Sequence, residues 1–75
     1  MKELIEYIAK AIVNTPDDVV VTEEDNEGTI TFKLQVADED KGRVIGKQGR
    51  VAEAMRTLLR VTAAKAGTRA TLEII

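Results

Sequence analysis

A chain of 75 residues has room for one small domain, and a domain of that size buries only about 60% of the surface its unfolded chain exposes. Cysteine and histidine are both absent, which excludes disulfide staples and thiolate metal sites and removes the commonest general base. The formal net charge of −2 excludes a uniformly basic polyanion binder.

The first segment, Met1-Lys2-Glu3-Leu4-Ile5-Glu6, mixes two acids with its apolar residues and has no small-residue cleavage site, so no signal peptide is expected. No stretch approaches the roughly 20 apolar residues that span a bilayer. The expectation is a soluble, cytoplasmic protein that does not engage a membrane.

Leu4, Ile5, Ile8, Ala11 and Ile12 recur at three- and four-residue spacing and predict an amphipathic helix. Tyr7 on this helix is expected to be partly buried. Asn14-Thr15-Pro16 ends the helix, because a residue before proline is pushed toward extended backbone. Val19-Val20-Val21 opens a β-branched run, predicting a strand from Val19 to Glu24. Asp25-Asn26-Glu27-Gly28 marks a hairpin turn. Ile30, Phe32, Leu34 and Val36 then alternate with Thr29, Thr31, Lys33 and Gln35, predicting a second strand with one buried face.

Asp38-Glu39-Asp40 places carboxylates where a helix N-terminus favours them. The spacing predicts a brief helix from Glu39 to Ile45, stopped by Gly46, and a longer one from Arg50 to Ala66. The inner stripe of the longer helix is expected to be Val51, Met55, Leu58, Leu59 and Thr62, with Gly67 as its C-terminal cap. Arg69 to Ile75 alternates again and predicts a third strand. The order helix-strand-strand-helix-helix-strand gives an α+β two-layer sandwich with helices on one face of a three-stranded sheet. Strand order stays open at this point.

Charge is divided along the chain. Met1 to Asp40 holds eleven acids against Lys2, Lys10 and Lys33, whereas Lys41 to Arg69 holds eight cations against Glu53 alone. Within the cationic part lies Gly46-Lys47-Gln48-Gly49. Two glycines between helices let a ligand approach the backbone closely, and the helix that follows offers unpartnered amides and a dipole favourable to an anion. Lys47 and Arg50 add full charges. By itself a GxxG tetrapeptide reads more readily as a tight helix-helix turn.

Its surroundings decide between the two. Arg43-Val44-Ile45-Gly46-Lys47-Gln48-Gly49-Arg50-Val51 resembles the KH-domain signature, an apolar pair before the GxxG loop and an apolar residue after it. The element order is similar to that of the type II KH fold, and all of residues 1–75 resemble the small stand-alone bacterial KH proteins of the KhpA family. The resemblance implies a single KH domain with a mixed three-stranded sheet. It also implies binding of single-stranded RNA, or single-stranded DNA, by a backbone clamp of about four nucleotides. The residues it implicates are Gly46, Lys47, Gln48 and Gly49 in the clamp, with Val44, Ile45 and Val51 in an apolar groove or the core beneath it. Arg50 and Arg43 attract the backbone, and Arg56 and Arg60, one turn apart, extend the basic track. An RNA chaperone or post-transcriptional regulator is the role implied.

The rival reading is a protein-interaction module that forms a homodimer, or a heterodimer with a second KH-containing protein, and has little affinity for RNA. Apolar surface near Ile5, Ala9 and Ile12, or an unpaired sheet edge, would serve it. A helix-turn-helix DNA binder fits the strands less well. Nucleotide-loop readings fail on spacing: three residues separate Gly42 from Gly46 where a Walker loop needs four, and Gln48 stands where a hydroxyl belongs. No catalytic residue, metal, cofactor or small-molecule substrate is expected.

Overall fold

Ile5 and Ala9, four residues apart, turn the first apolar stripe inward on α1 (Lys2–Ile12) and pack it against the sheet. The computed structural model describes residues 1–75. Val13 ends α1 in extended backbone while its N–H still donates to the Ala9 carbonyl at 3.2 Å. Thr15 leaves the helical region before Pro16, which begins a 3₁₀ turn at Pro16–Asp18.

Strand β1 (Val20–Asn26) pairs antiparallel with β2 (Thr29–Gln35), Val21 opposite Leu34 and Asn26 opposite Thr29. β1 therefore runs two residues beyond the expected Glu24, and the connection contracts to Glu27-Gly28. Both loop residues have positive φ, 53° and 87°, the twist that a two-residue hairpin prefers. β3 (Arg69–Ile74) lies parallel to β2, Thr29 beside Arg69 and Leu34 beside Ile74. The sheet order is β1-β2-β3, a mixed sheet with β2 at its centre.

A parallel pair needs a crossover, and α2 (Lys41–Ile45) and α3 (Arg50–Lys65) supply it. The buried stripe of α3 is Ala52, Met55, Leu59 and Ala63. The expected stripe was rotated toward the bulkier residues, and Leu58 is 46% exposed. Alanines at the two ends of the true stripe let the helix approach the strands closely. Beyond Ala66, the Thr68 N–H bonds the Ala63 carbonyl at 2.9 Å and the Gly67 N–H bonds that of Ala64 at 3.1 Å. This is the Schellman closure expected of Gly67.

Phe32, Leu34, Val44, Met55 and Leu59 share one core with Ile5 and Ala9. The first-helix surface expected to support pairing is thus spent: Ile5 and Ala9 are buried, and Ile12 packs partly against the core. Tyr7 departs from expectation in the other direction and is 78% exposed. No helix is long and apolar enough to cross a membrane.

Candidate nucleic-acid interface

The short helix α2 is anchored from below. A 3₁₀ turn, Asp38–Asp40, leads into it and carries Asp40 to full burial. A buried carboxylate must find donors. Asp40 Oδ1 accepts the Asn14 N–H at 3.1 Å and Oδ2 accepts the Thr15 N–H at 3.0 Å, both amides freed by the end of α1. The Arg43 Nε stands 3.7 Å from Oδ1. Glu39 accepts the Thr15 hydroxyl at 3.2 Å, and Asp38 pairs with Lys41 at 3.2 Å. The acidic triplet, read from sequence as a helix start, also staples α2 to the loop behind α1.

Anchoring α2 fixes the loop that leaves it. Gly46 closes α2 with its N–H on the Gly42 carbonyl at 2.9 Å and adopts φ 77°, ψ 172°, a region essentially reserved for glycine. Space reinforces the requirement. A Cβ at Gly46 would lie 2.4 Å from Val51 Cγ2 and 2.8 Å from the Val51 backbone nitrogen. Lys47–Gly49 then forms a tight turn, closed by the Gly49 N–H on the Gly46 carbonyl at 3.1 Å. Gln48 and Gly49 are both left-handed, at φ 59° and 73°, and together they redirect the chain into α3.

Lys47, Gln48 and Arg50 project to solvent around this turn, and Arg50 Nη2 donates to Gln48 Oε1 at 3.4 Å. Gly49 occupies the N-cap of α3, so no side chain caps that helix. No side chain takes its first-turn donors; the Arg50 N–H bonds the Lys47 carbonyl, and Glu53 is the one acid in the first turn. No enclosed pocket accompanies the loop, so a ligand meets it on an open surface.

The apolar residues separate by depth. Val44 is fully buried and supports the loop from within the core, the second of the two places left open for it. Ile45 is 42% exposed, and Val51 is half-buried beside Gly46. The cations separate as well. Lys41 and Arg43 face Asp38 and Asp40, while Lys47 and Arg50 have no acidic partner within the chain. Arg60 Nη2 lies 3.6 Å from Glu53 Oε1. Arg56 is half-buried, and its Nε donates to the Leu72 carbonyl of β3 at 3.4 Å. Of the two arginines expected to extend the basic track, Arg60 is exposed and Arg56 is half-buried.

The KH-domain model of KhpA/KhpB matches residues 2–74. The chain belongs to that family. An RNA-binding protein KhpA of Clostridium acetobutylicum is 51% identical over 75 residues, covering 100% of both chains. One from Listeria monocytogenes is also 51% identical, covering 100% of this chain and 99% of the other. One from Treponema pallidum is 53% identical over 74 residues, covering 99% and 92%. No solved structure matches. Within the KhpA/KhpB family the chain has the α-β-β-α-α-β order and mixed sheet of a type II KH fold.

Proposed function

We propose that this chain binds single-stranded RNA by holding the phosphate backbone on Gly46-Lys47-Gln48-Gly49, as an RNA chaperone or post-transcriptional regulator. The observation that carries this reading is the uncapped start of α3 behind a loop whose Lys47, like the adjoining Arg50, lacks an acidic partner. A phosphate there accepts first-turn amide hydrogens and meets two full positive charges. Relatives named RNA-binding protein KhpA support it.

Backbone contacts position a strand without reading it. Ile45 and the exposed part of Val51 offer the bases a small apolar surface. Phe32 is fully buried and Tyr7 lies on α1, so the sheet carries no aromatic stacking platform. Single-stranded RNA is expected to bind more tightly than duplex DNA. With those two cations engaged, log affinity should fall against log salt with a slope of about −1.4. Fluorescence anisotropy across a salt series measures both, and a slope near zero would remove the phosphate site.

A second reading concerns partners. Ala54, Leu58 and Val61 form one stripe on the outer face of α3, with Leu58 46% and Val61 50% exposed. Such a stripe supports pairing with a second copy or with another KH-containing protein. Light scattering is expected to give a dimer mass for the wild type and a monomer mass for the Leu58→Glu, Val61→Glu variant. Equal masses would end the reading of pairing with a second copy.

A further inference from the structure

The sheet has two edges, β1 and β3, and only one of them carries a cation against its backbone. At β3 the Arg56 Nε donates to the Leu72 carbonyl at 3.4 Å. β1 has no such guard. The Gly28 and Leu34 carbonyls accept the Arg69 and Ile75 N–H groups at 3.2 and 2.9 Å, so even-numbered positions of β2 serve β3 and odd-numbered ones serve β1. Thr29, Thr31 and Lys33 therefore exchange ladder bonds with Asn26, Glu24 and Thr22. The residues between, Val21, Glu23 and Asp25, turn their N–H and C=O groups away from β2, and no other backbone group of the chain reaches them. Val21 is buried, whereas Glu23 and Asp25 are exposed.

An open edge accepts another strand unless something prevents it, and the usual devices are lysine, proline or a bulge. Val20–Asn26 contains neither lysine nor proline. Its register runs one-to-one, from Val20 opposite Gln35 to Asn26 opposite Thr29, without a bulge. What it carries is acid. Glu23 and Asp25 share the helix-facing side of the strand, Glu24 takes the opposite side, and Glu27 follows in the turn. Lys33 lies 3.3 Å from Glu24, whereas Glu23, Asp25 and Glu27 have no cationic partner in the chain. Like charges opposite one another destabilise a strand pair, so these acids keep β1 of a second copy away. They attract a strand of the opposite sign.

We propose that the β1 edge docks an extended basic segment of another protein as an antiparallel fourth strand, with arginine or lysine at alternate positions. Glu23 and Asp25 each offer one N–H and one C=O to the incoming backbone. In strand addition such main-chain bonds give affinity, and alternate side chains give selectivity. The residues opposite Glu23 and Asp25 stand two apart on one face, which sets the alternation. The residue between them meets Glu24, already paired with Lys33, so charge counts for less there. The proposal does not depend on the RNA-binding reading. Its rival is an edge that is acidic only to keep copies apart.

The test titrates a capped Thr-Arg-Thr-Arg-Thr peptide into isotope-labelled protein, without RNA, and follows the backbone amides by NMR. The Glu23 and Asp25 amides are expected to shift and to gain protection from hydrogen exchange. Methylating the arginine backbone nitrogens keeps the charge but removes the donors, and should weaken binding on the order of tenfold. Glu23→Lys, Asp25→Lys should weaken it on the order of tenfold as well and admit Thr-Glu-Thr-Glu-Thr instead. Asp17→Lys, Asp18→Lys, an equal change of charge in the Pro16–Asp18 turn, should weaken it less than about threefold. Circular dichroism checks the fold of both variants. Equal binding of the methylated peptide, equal losses in the two variants, or shifts confined to other amides would mean attraction by charge alone and overturn the proposal. Absence of binding to the wild type overturns it too, and leaves the acids as a guard.

Discussion

Replacing Lys47 and Gln48 together by aspartate is expected to lower affinity for single-stranded RNA by about 100-fold while leaving the fold intact. The first change removes a cation and puts a carboxylate where a phosphate would sit. The second adds another carboxylate beside Arg50, which already contacts position 48 at 3.4 Å and would be drawn away from the ligand. Two like charges close to a phosphate at a wet surface, screened by salt, cost about 3 kcal/mol together, a factor of about 100. The fold is spared for local reasons. Both side chains are exposed, both glycines are kept, and position 48 has φ 59°, ψ 25°, a left-handed conformation in which aspartate is enriched. Binding at fixed salt, with circular dichroism on the same samples, measures the effect. Wild-type affinity in a folded variant would rule out the loop as the phosphate site.

The features legible in the sequence were those that local chemistry specifies. Periodicity revealed α1 and β2, and Gly67 announced the end of α3. The loop stood out because Val44-Ile45 and Val51 frame its two glycines. What stayed hidden depends on partners distant along the chain. The order β1-β2-β3 requires a parallel pairing across two helices, which no local pattern encodes. Asp40 looked like a helix-start acid, whereas its donors are the amides of Asn14 and Thr15, some 25 residues earlier. Arg56 reads from sequence only as part of a basic track, whereas its acceptor is the carbonyl of Leu72. The inner face of α3 was misjudged for a different reason: side-chain bulk pointed to Leu58, but close packing on the sheet selects Ala52 and Ala63. Tyr7 followed the same logic in reverse, an aromatic left outside because Ile5 and Ala9 already fill the inward face of α1.

Gly46→Ala is expected to destabilise the fold far more than Gly49→Ala, although both glycines sit in one tetrapeptide at similar φ. At Gly49, φ 73° and ψ 14° lie in the left-handed well, and a Cβ there meets nothing within 4 Å. The cost is about 1 kcal/mol of backbone strain, lowering the melting temperature by about 4–8 °C. At Gly46, ψ 172° takes the backbone out of that well, adding strain of about 1–3 kcal/mol. The new Cβ also strikes Val51 at Cγ2, Cβ and the backbone nitrogen, at 2.4, 2.8 and 2.8 Å. Overpacking of this kind costs about 1–3 kcal/mol more. A combined loss of about 3–5 kcal/mol is a large share of the total stability of so small a domain and should lower the melting temperature by about 15–30 °C. Adding Val51→Ala removes the Cγ2 clash but leaves the Val51 Cβ and nitrogen in place, so rescue should be partial. Thermal melts of the four proteins measure the series, and equal losses at the two glycines would refute the steric account. Because Val51 belongs to the first turn of α3, any relaxation around a Cβ at position 46 must move the helix start away from the loop. A folded Gly46→Ala protein should therefore lose more RNA affinity than Gly49→Ala, since the amides and the dipole that face the phosphate shift with that turn.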